Sequence, residues 1–211
     1  MKRIIKILSA ATLILVLASC NKKQQDHYLI QFNESIAGDY YYTAMDWYGP
    51  AVDLDGDGEA SVNIAHELYG LNSDILPGKQ KRTAARVLEL QAPGIPNTIS
   101  IDIPMQGVVK DPEDGSCHPS ERMWATYSPQ CVMNKDCNIS FRNSESGSIA
   151  NKIPLTKCMD FVKEAEMISL EPGYMHFTYK CVFYDFLTRS FVPGTVDAWL
   201  KRYTRADGSA L

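Results

Sequence analysis

Alternation of apolar and polar residues is the dominant pattern along the chain. Between Thr98 and Gln106 the odd positions are apolar and the even positions are mostly polar, which is the two-residue period of a half-buried β-strand. Tyr174 to Phe183 alternates in the same way, and its aromatic and β-branched residues favour a pleated sheet over a helix. Weaker alternation predicts six shorter strands, at 40–47, 86–91, 123–128, 139–141, 165–170 and 195–203.

Turn-forming sequences separate these strands. They are Ala92-Pro93-Gly94, Asp111 to Gly115, Glu171-Pro172-Gly173 and Pro193-Gly194. Neighbouring strands joined by such short connections predict an antiparallel sheet. A single helix is predicted from Ser61 to about Leu68, with Ser61 as its N-cap. The fold expected is therefore all-β, either an antiparallel β-sandwich or an open barrel with one short helix.

The first twenty residues differ from the rest of the chain. A basic start, Met1 to Lys6, precedes an apolar run from Ile7 to Leu17 that is too short to cross about 30 Å of hydrocarbon. We interpret residues 1–19 as a signal peptide. The run ends in Leu17-Ala18-Ser19-Cys20, which resembles the lipobox of bacterial lipoproteins. That resemblance implies cleavage before Cys20 and acylation of its thiol and new amine by fatty acids such as palmitate, with a chance cysteine after an ordinary secretory signal as the alternative.

The polar segment after Cys20 defines the remaining domain organisation. Residues 21–26 contain no hydrophobic side chain, so residues 20–34 are predicted to be a lipidated cysteine and flexible tether. A single β domain is expected over 35–205, followed by a short tail over 206–211. In the lipoproteins that the lipobox resembles, Asp directly after the cysteine is the usual signal for retention in the inner membrane, and this chain has Asn21 there. The resemblance therefore favours the periplasmic face of the outer membrane, with the inner membrane and the cell surface as alternatives.

Net charge limits the partners. The chain has 21 basic and 25 acidic residues, and three of the basic ones (Lys2, Arg3 and Lys6) belong to the signal peptide, so the mature chain carries seven surplus negative charges. Such a surface repels phosphate backbones, and no nucleic-acid partner is predicted.

An acidic loop is the main candidate for a bound ion. Asp53 to Ser61 reproduces the first nine positions of an EF-hand loop: Asp53, Asp55 and Asp57 stand at positions one, three and five, Gly58 at six, and Ser61 at nine. The Glu59 carbonyl would serve at position seven. Position twelve is Ile64 instead of glutamate, so Glu67, three residues later, is the nearest acidic replacement. The loop predicts a Ca²⁺ site; the alternative is a surface turn that uses Asp and Gly for their backbone conformations.

Five cysteines follow Cys20, an odd number in a compartment that permits disulfides. Cys181 shares the apolar face of its strand with Phe177, Tyr179 and Phe183, so it is expected to be a buried free thiol. Cys131 and Cys137 are close enough in sequence to close a loop, which leaves Cys117 and Cys158 as the second pair among several arrangements.

No sequence motif for nucleophilic, phosphate-binding, dinucleotide-binding or zinc-protease chemistry is present, so the chain is predicted not to be an enzyme. The lipobox, the aromatic strand ending at Trp47, the acidic loop with 63–68, the Tyr184-Asp185-Phe186 run and Val196 to Tyr203 together resemble uncharacterised lipocalin-like lipoproteins of anaerobic Gram-negative bacteria. The resemblance implies a small antiparallel barrel or sandwich on a lipid tether, although the long segment from Asp111 to Pro154 departs from a compact barrel.

The leading functional expectation is a non-catalytic envelope protein that binds an unknown protein, small molecule or glycan. One alternative is a carrier of a small apolar ligand, which requires an apolar cavity of several hundred Å³. Another is a carbohydrate hydrolase, which requires two carboxyl groups about 5–10 Å apart in a cleft.

Overall fold

The computed structural model describes residues 22–69, 83–121, 123–136, 138–142, 150–151 and 162–203. The predicted signal peptide, Cys20, Cys137, Cys158 and the tail over 206–211 lie outside these residues. Two helices occur within them, α1 over residues 22–35 and α2 over Ile64–Tyr69. The strands are β1 Gly38–Tyr48, β2 Ala85–Val87, β3 Asn97–Met105, β4 Val108–Lys110, β5 Cys117–Pro119, β6 Met123–Tyr127, β7 Gln130–Met133, β8 Ile139–Arg142, β9 Ala150–Asn151, β10 Val162–Glu171, β11 Tyr174–Asp185 and β12 Ser190–Arg202.

Ten strands form one antiparallel sheet that nearly closes into a barrel. Its order is β10-β11-β12-β1-β2-β3-β6-β9, and β7 pairs with both β3 and β8. β4 and β5 form a separate hairpin. The all-β, antiparallel prediction is confirmed, and of its two alternatives the structure takes the barrel.

All eight predicted strands overlap strands of the structure, but four further strands were not predicted. These four, β4, β5, β7 and β9, have two to four residues each, a length at which alternation is a weak signal, although it did indicate the equally short β2 and β8. The strand predicted at 86–91 ends at Val87, because the backbone of Leu90 pairs with the Asn33 side chain of α1 instead of a neighbouring strand. The turn predicted at Pro193-Gly194 is wrong, since both residues lie inside β12 and the chain reverses at 186–189.

The inward-facing positions of the strands build an aromatic core. Phe177 is fully buried, and its ring centroid lies 6.3 Å from those of Tyr42 and Tyr127 and 5.9 Å from that of Tyr179. These rings come from β1, β6 and β11, so they meet across the interior of the barrel. At this level the interior is filled by side chains.

Residues 22–34 of the segment predicted to be a flexible tether are helical, which corrects the expectation for this part of it. Phe32 and Ile36 are buried and Leu29 is partly buried against the core. These positions are separated by three and four residues, the spacing of one helix face, and residues 22–35 contain no glycine or proline. The polar start at 21–26 had hidden an amphipathic helix whose apolar residues come later.

α1 lies across one end of the barrel, which we call the α1 end. Asn33 exchanges hydrogen bonds with the Leu90 backbone at 3.2 and 2.9 Å, and the Gly173 amide donates to the Ser35 carbonyl at 3.1 Å. Arg202 of β12 is buried and donates to the Glu34 carbonyl. The helix is therefore held by the β2–β3 connection, the β10–β11 turn and the end of β12.

α2 begins later than predicted. Ser61 is not its N-cap, because its backbone pairs with Val52 in an isolated bridge with two N···O distances of 3.0 Å. Asn63 takes that role, and its Oδ1 accepts a hydrogen bond from the His66 amide. Neither helix in the described residues has the length and hydrophobicity needed to cross a bilayer.

Candidate metal site at the acidic loop

The acidic loop follows β1 at the end of the barrel opposite α1. The Val52–Ser61 bridge closes its base. Asp53 is fixed at both backbone groups: its amide donates to Asp185 Oδ1 at 3.0 Å, and its carbonyl accepts from the Phe186 amide at 2.9 Å. The first residue of the loop is therefore attached to the end of β11.

The Asp53 side chain, only 1% exposed, organises the turn. Its Oδ1 accepts a hydrogen bond from the Gly56 amide at 2.7 Å, and its Oδ2 accepts one from the Gly58 amide at 3.1 Å. Gly56 and Gly58 have φ of 79° and 91°, a region that glycine occupies without strain. The predicted use of Gly58 for a sharp turn agrees with this geometry.

Glu67 approaches the same point from α2. Glu67 is 5% exposed, and its Oε2 accepts a hydrogen bond from the Leu54 amide at 3.1 Å. Burial raises the pKa of Glu67, and the negative charges of Asp55, Asp57 and Asp53 raise it further, while the bond from Leu54 opposes the shift. One carboxylate oxygen from each of Asp53, Asp55 and Glu67 lies within 4.8 Å of the other two.

Of the six predicted ligand residues, the carboxylates of Asp53, Asp55 and Glu67 converge, and that of Asp57 is not part of this group. The oxygens predicted from Glu59 and Ser61, a backbone carbonyl and a hydroxyl, stay predictions. Asp57 is exposed, and its Oδ1 accepts the Glu59 amide at 2.8 Å. Glu59 is exposed as well. The Ser61 hydroxyl accepts the Asn63 amide at 2.9 Å, so this side chain serves the entry to α2. Glu67, identified in the sequence as a displaced substitute for position twelve, is the residue that completes the cluster.

Sequence reasoning missed the residue that joins the loop to the barrel. Gln106 is 2% exposed, and its Nε2 donates to the carbonyls of Leu54 at 3.0 Å and Tyr184 at 2.6 Å. Its Oε1 accepts the Tyr184 amide at 2.8 Å. The alternation through β3 had placed Gln106 on the polar face, and no local signal distinguishes a buried, fully bonded glutamine from an exposed one.

Asp185 lies in the Tyr184-Asp185-Phe186 run, but nothing in the sequence indicated its role. It is 2% exposed and accepts hydrogen bonds from the Asp53 amide, the Leu187 amide and the Thr188 hydroxyl. Burial works against its charged form, but these hydrogen bonds prevail and lower the pKa of Asp185. It is therefore an ionised, buried support for the loop.

A cavity of about 190 Å³ opens beside the carboxylates. Asp55 and Glu67 line it, together with Leu54, Leu68, Gln106 and Pro119. Clustered carboxylate oxygens on a coiled backbone are ligands of the kind that Ca²⁺ takes, and the cavity gives room for coordinating water.

The predicted disulfides are not formed in the structure. Cys117 is half-buried and Cys131 is fully buried, and both are free thiols; their proposed partners, Cys158 and Cys137, lie outside the described residues. Cys131 is on an inward position of β7, and burial raises its pKa to about 11. Cys181 is buried and free as predicted, and burial raises its pKa to about 12.

Comparison with protein-family models, curated protein sequences and solved structures found no match to this chain. The resemblance to lipocalin-like lipoproteins stays a prediction, although the barrel-like sheet agrees with the fold that it implies. The chemistry of the site is therefore inferred from its own residues.

Proposed function

We propose that this protein is a non-catalytic, lipid-anchored module of the cell envelope whose acidic loop binds a structural Ca²⁺. The observation that carries the calcium site is the convergence of Asp53, Asp55 and Glu67 oxygens within 4.8 Å. Ca²⁺ takes six to eight oxygen ligands, so backbone carbonyls and water would complete its shell. The binding partner of the module would be a protein, a small molecule or a glycan.

A metal-free turn accounts for only part of this arrangement. It explains Asp53, whose two oxygens accept backbone amides. It leaves one feature unexplained: the Glu67 carboxylate, which accepts the Leu54 amide, is held from a separate helix beside the carboxylates of Asp53 and Asp55, whose charges repel it. Without a cation, burial raises the pKa of Glu67 and the neighbouring carboxylates raise it further; a divalent cation turns the same charges into ligands.

The role proposed for the ion is structural because of what the loop is attached to. Gln106 and Asp185 connect the loop to the barrel through Leu54 and Asp53. An ion that also binds Glu67 would fasten α2 to this assembly. The anchor would be the acylated Cys20, at the periplasmic face of the outer membrane, and the lipobox is the feature that supports it.

A hydrolase is the second candidate, because Asp55 and Glu67 are two carboxyl groups close together. The raised pKa of Glu67 suits a general acid, and Asp55 would be the base. Two observations favour calcium over it. The adjoining cavity, about 190 Å³, is smaller than the 300–1,000 Å³ typical of ligand pockets. A third carboxylate, Asp53, also belongs to the cluster. The carrier reading is disfavoured by the rings that fill the interior around Phe177.

Calcium titration with thermal melting tests the ion. For the mature chain in EDTA, we expect the melting temperature to rise on addition of millimolar Ca²⁺, because the ion binds only the folded loop. Asp55→Asn should remove most of this rise. Glu59→Gln removes the same charge from the same loop without touching the cluster, so it should keep the rise. No calcium-dependent shift, or equal losses in both variants, would leave only the turn.

Metabolic labelling tests the anchor separately. Radiolabelled palmitate should mark the full-length chain in a Gram-negative host, and Cys20→Ser should abolish the label. Labelling that survives this substitution would overturn the lipid anchor and leave the calcium site standing.

A further inference from the structure

We propose that the short connection to Cys20 holds the outer face of α1 on the bilayer, so that the acidic loop points away from the membrane. This inference rests on the acylation of Cys20 proposed above. It concerns the surface that meets lipid, which a flexible tether would have left undefined.

The first step is that α1 belongs to the folded domain. Phe32 is buried, and Asn33 and Arg202 tie the last turns of α1 to the barrel. Near the other end of α1, Gln25 Nε2 donates to the Lys135 carbonyl in the β7–β8 turn at 3.2 Å. Contacts at both ends of the helix mean that it cannot swing away as a linker would.

The second step is the length of the connection. The described part of α1 starts at residue 22, two residues after Cys20 in the sequence. Two residues of fully extended chain span at most about 7 Å. With acyl chains on Cys20 in the bilayer, the first turn of α1 must lie beside the lipid headgroups. The barrel is therefore not free to rotate about a long tether.

The third step is the chemistry of the face that α1 turns away from the barrel. Lys23, His27 and Ile30 are exposed and are separated by four and three residues, so they share one side of the helix, opposite Leu29 and Phe32. A lysine attracts anionic headgroups, and an isoleucine that is 56% exposed gains by entering the apolar boundary. Glu34, four residues after Ile30, is exposed on the same side, and Asp26 borders it, so this face carries no net positive charge. Affinity therefore comes from the acyl chains, and the short connection and Ile30 set the orientation.

The orientation decides what the membrane leaves accessible. β1 starts three residues after α1 and ends at Tyr48, five residues before Asp53. Its eleven residues extend about 36 Å at 3.3 Å per residue, so the acidic loop lies at the far end of the barrel. A partner in the aqueous compartment would meet that end first.

Lipid cross-linking tests this orientation. The native acylated chain is reconstituted into vesicles that contain a phospholipid with a photoreactive headgroup, and cross-linked peptides are identified by mass spectrometry. We expect adducts on residues 22–30 and none on residues 53–61. Adducts spread evenly over both segments, or concentrated on the acidic loop, would overturn the orientation.

A linker variant tests the cause. Ten Gly/Ser residues inserted between Asn21 and Lys22 should leave the acyl mass on Cys20 and the melting temperature unchanged but abolish the preference for residues 22–30. An unchanged preference would overturn the short connection as its origin. Absence of the acyl mass from the native chain would instead overturn the proposed anchor, so the two failures are distinguishable.

Discussion

The backbone amide of Asp53 donates a hydrogen bond to the carboxylate of Asp185 at 3.0 Å. The two residues are 132 positions apart, and both are almost completely buried. Asp185 also accepts hydrogen bonds from the Leu187 amide and the Thr188 hydroxyl, so one carboxylate holds the β11–β12 turn and the start of the acidic loop together. The geometry of the loop therefore depends on an ionised side chain at the end of β11.

Asp185→Ala should destabilise the fold and weaken the proposed binding of calcium. It leaves buried donors unpaired, and hydrogen bonds to charged groups contribute about 2 kcal/mol each, so the free energy of unfolding should fall by at least about that amount. Because the folded-state pKa of Asp185 is lowered, its contribution is present above the unfolded-state pKa and disappears as the pH falls through the folded-state pKa. Urea unfolding at several pH values measures this difference.

The matched control for Asp185 is Asp46→Ala, which removes one exposed carboxylate from β1. It should leave the free energy of unfolding within about 0.5 kcal/mol of the wild type. If both substitutions cost the same, or if the loss at Asp185 did not shrink in acid, the buried carboxylate would not be what supports the loop.

Glu67→Gln should raise the melting temperature without calcium and lower it with calcium, relative to the wild type. In EDTA the raised folded-state pKa of Glu67 gives stability that is present below its ordinary value of 4.5 and is lost as the pH rises through the folded-state pKa. Glutamine carries no charge and keeps an oxygen for the Leu54 amide. The variant should therefore melt at a higher temperature than the wild type near neutral pH without calcium, and at a lower temperature with millimolar Ca²⁺.

The measurement for Glu67 is thermal melting of the wild type and the variant, from below pH 4.5 to neutral pH, with EDTA and with Ca²⁺. A variant that melts below the wild type in EDTA at neutral pH would show that the carboxylate is not under repulsion there. A variant with the full calcium-dependent rise would remove Glu67 from the ligand set.

Phe32→Ala distinguishes a docked helix from a tether. Phe32 is 4% exposed against the core, so truncation should lower the free energy of unfolding by about 3 kcal/mol. Ile30→Ala is the control on the same helix, because Ile30 is 56% exposed and its loss should cost less than about 0.5 kcal/mol. Equal costs in denaturant unfolding would mean that α1 does not pack as described.

The strands that were predicted well from the sequence are those with one solvent-exposed face. β3 and β11 alternate because the sheet buries every second side chain, so the pattern is visible within each strand's own sequence. α1 was missed because its polar first turns suggested a tether, whereas the apolar positions that dock it come at Leu29, Phe32 and Ile36. The amphipathic period is visible there only when the window extends past the polar residues.

The candidate site was predictable as far as its proposed ligands are close together in sequence. Asp53 and Asp55 follow from loop spacing, and Glu67 follows from its place one helical turn beyond the expected ligand. Gln106 and Asp185 could not be predicted, because their function is to join segments that are distant in sequence and meet only in the folded barrel. Pro193-Gly194 was wrongly predicted to be a turn for a similar reason. The glycine is required there by a contact with the Trp47 ring, which is distant in sequence.

That contact is between Gly194 of β12 and the Trp47 ring of β1, and it gives the last prediction. A Cβ built on Gly194 would lie 2.0 Å from Cη2 of Trp47, far inside van der Waals contact. The ring has little room to move, because its Nε1 donates to the Pro50 carbonyl at 2.7 Å and its centroid lies 5.4 Å from that of Phe183. Gly194→Ala should therefore lower the free energy of unfolding by about 2 to 3 kcal/mol.

Urea unfolding of a double-mutant cycle with Trp47→Leu assigns the cause, because a smaller side chain should relieve most of that cost. If Gly194→Ala costs as much beside Leu as beside Trp, the strain comes from the backbone of β12 and the close approach of the ring is not the reason for glycine.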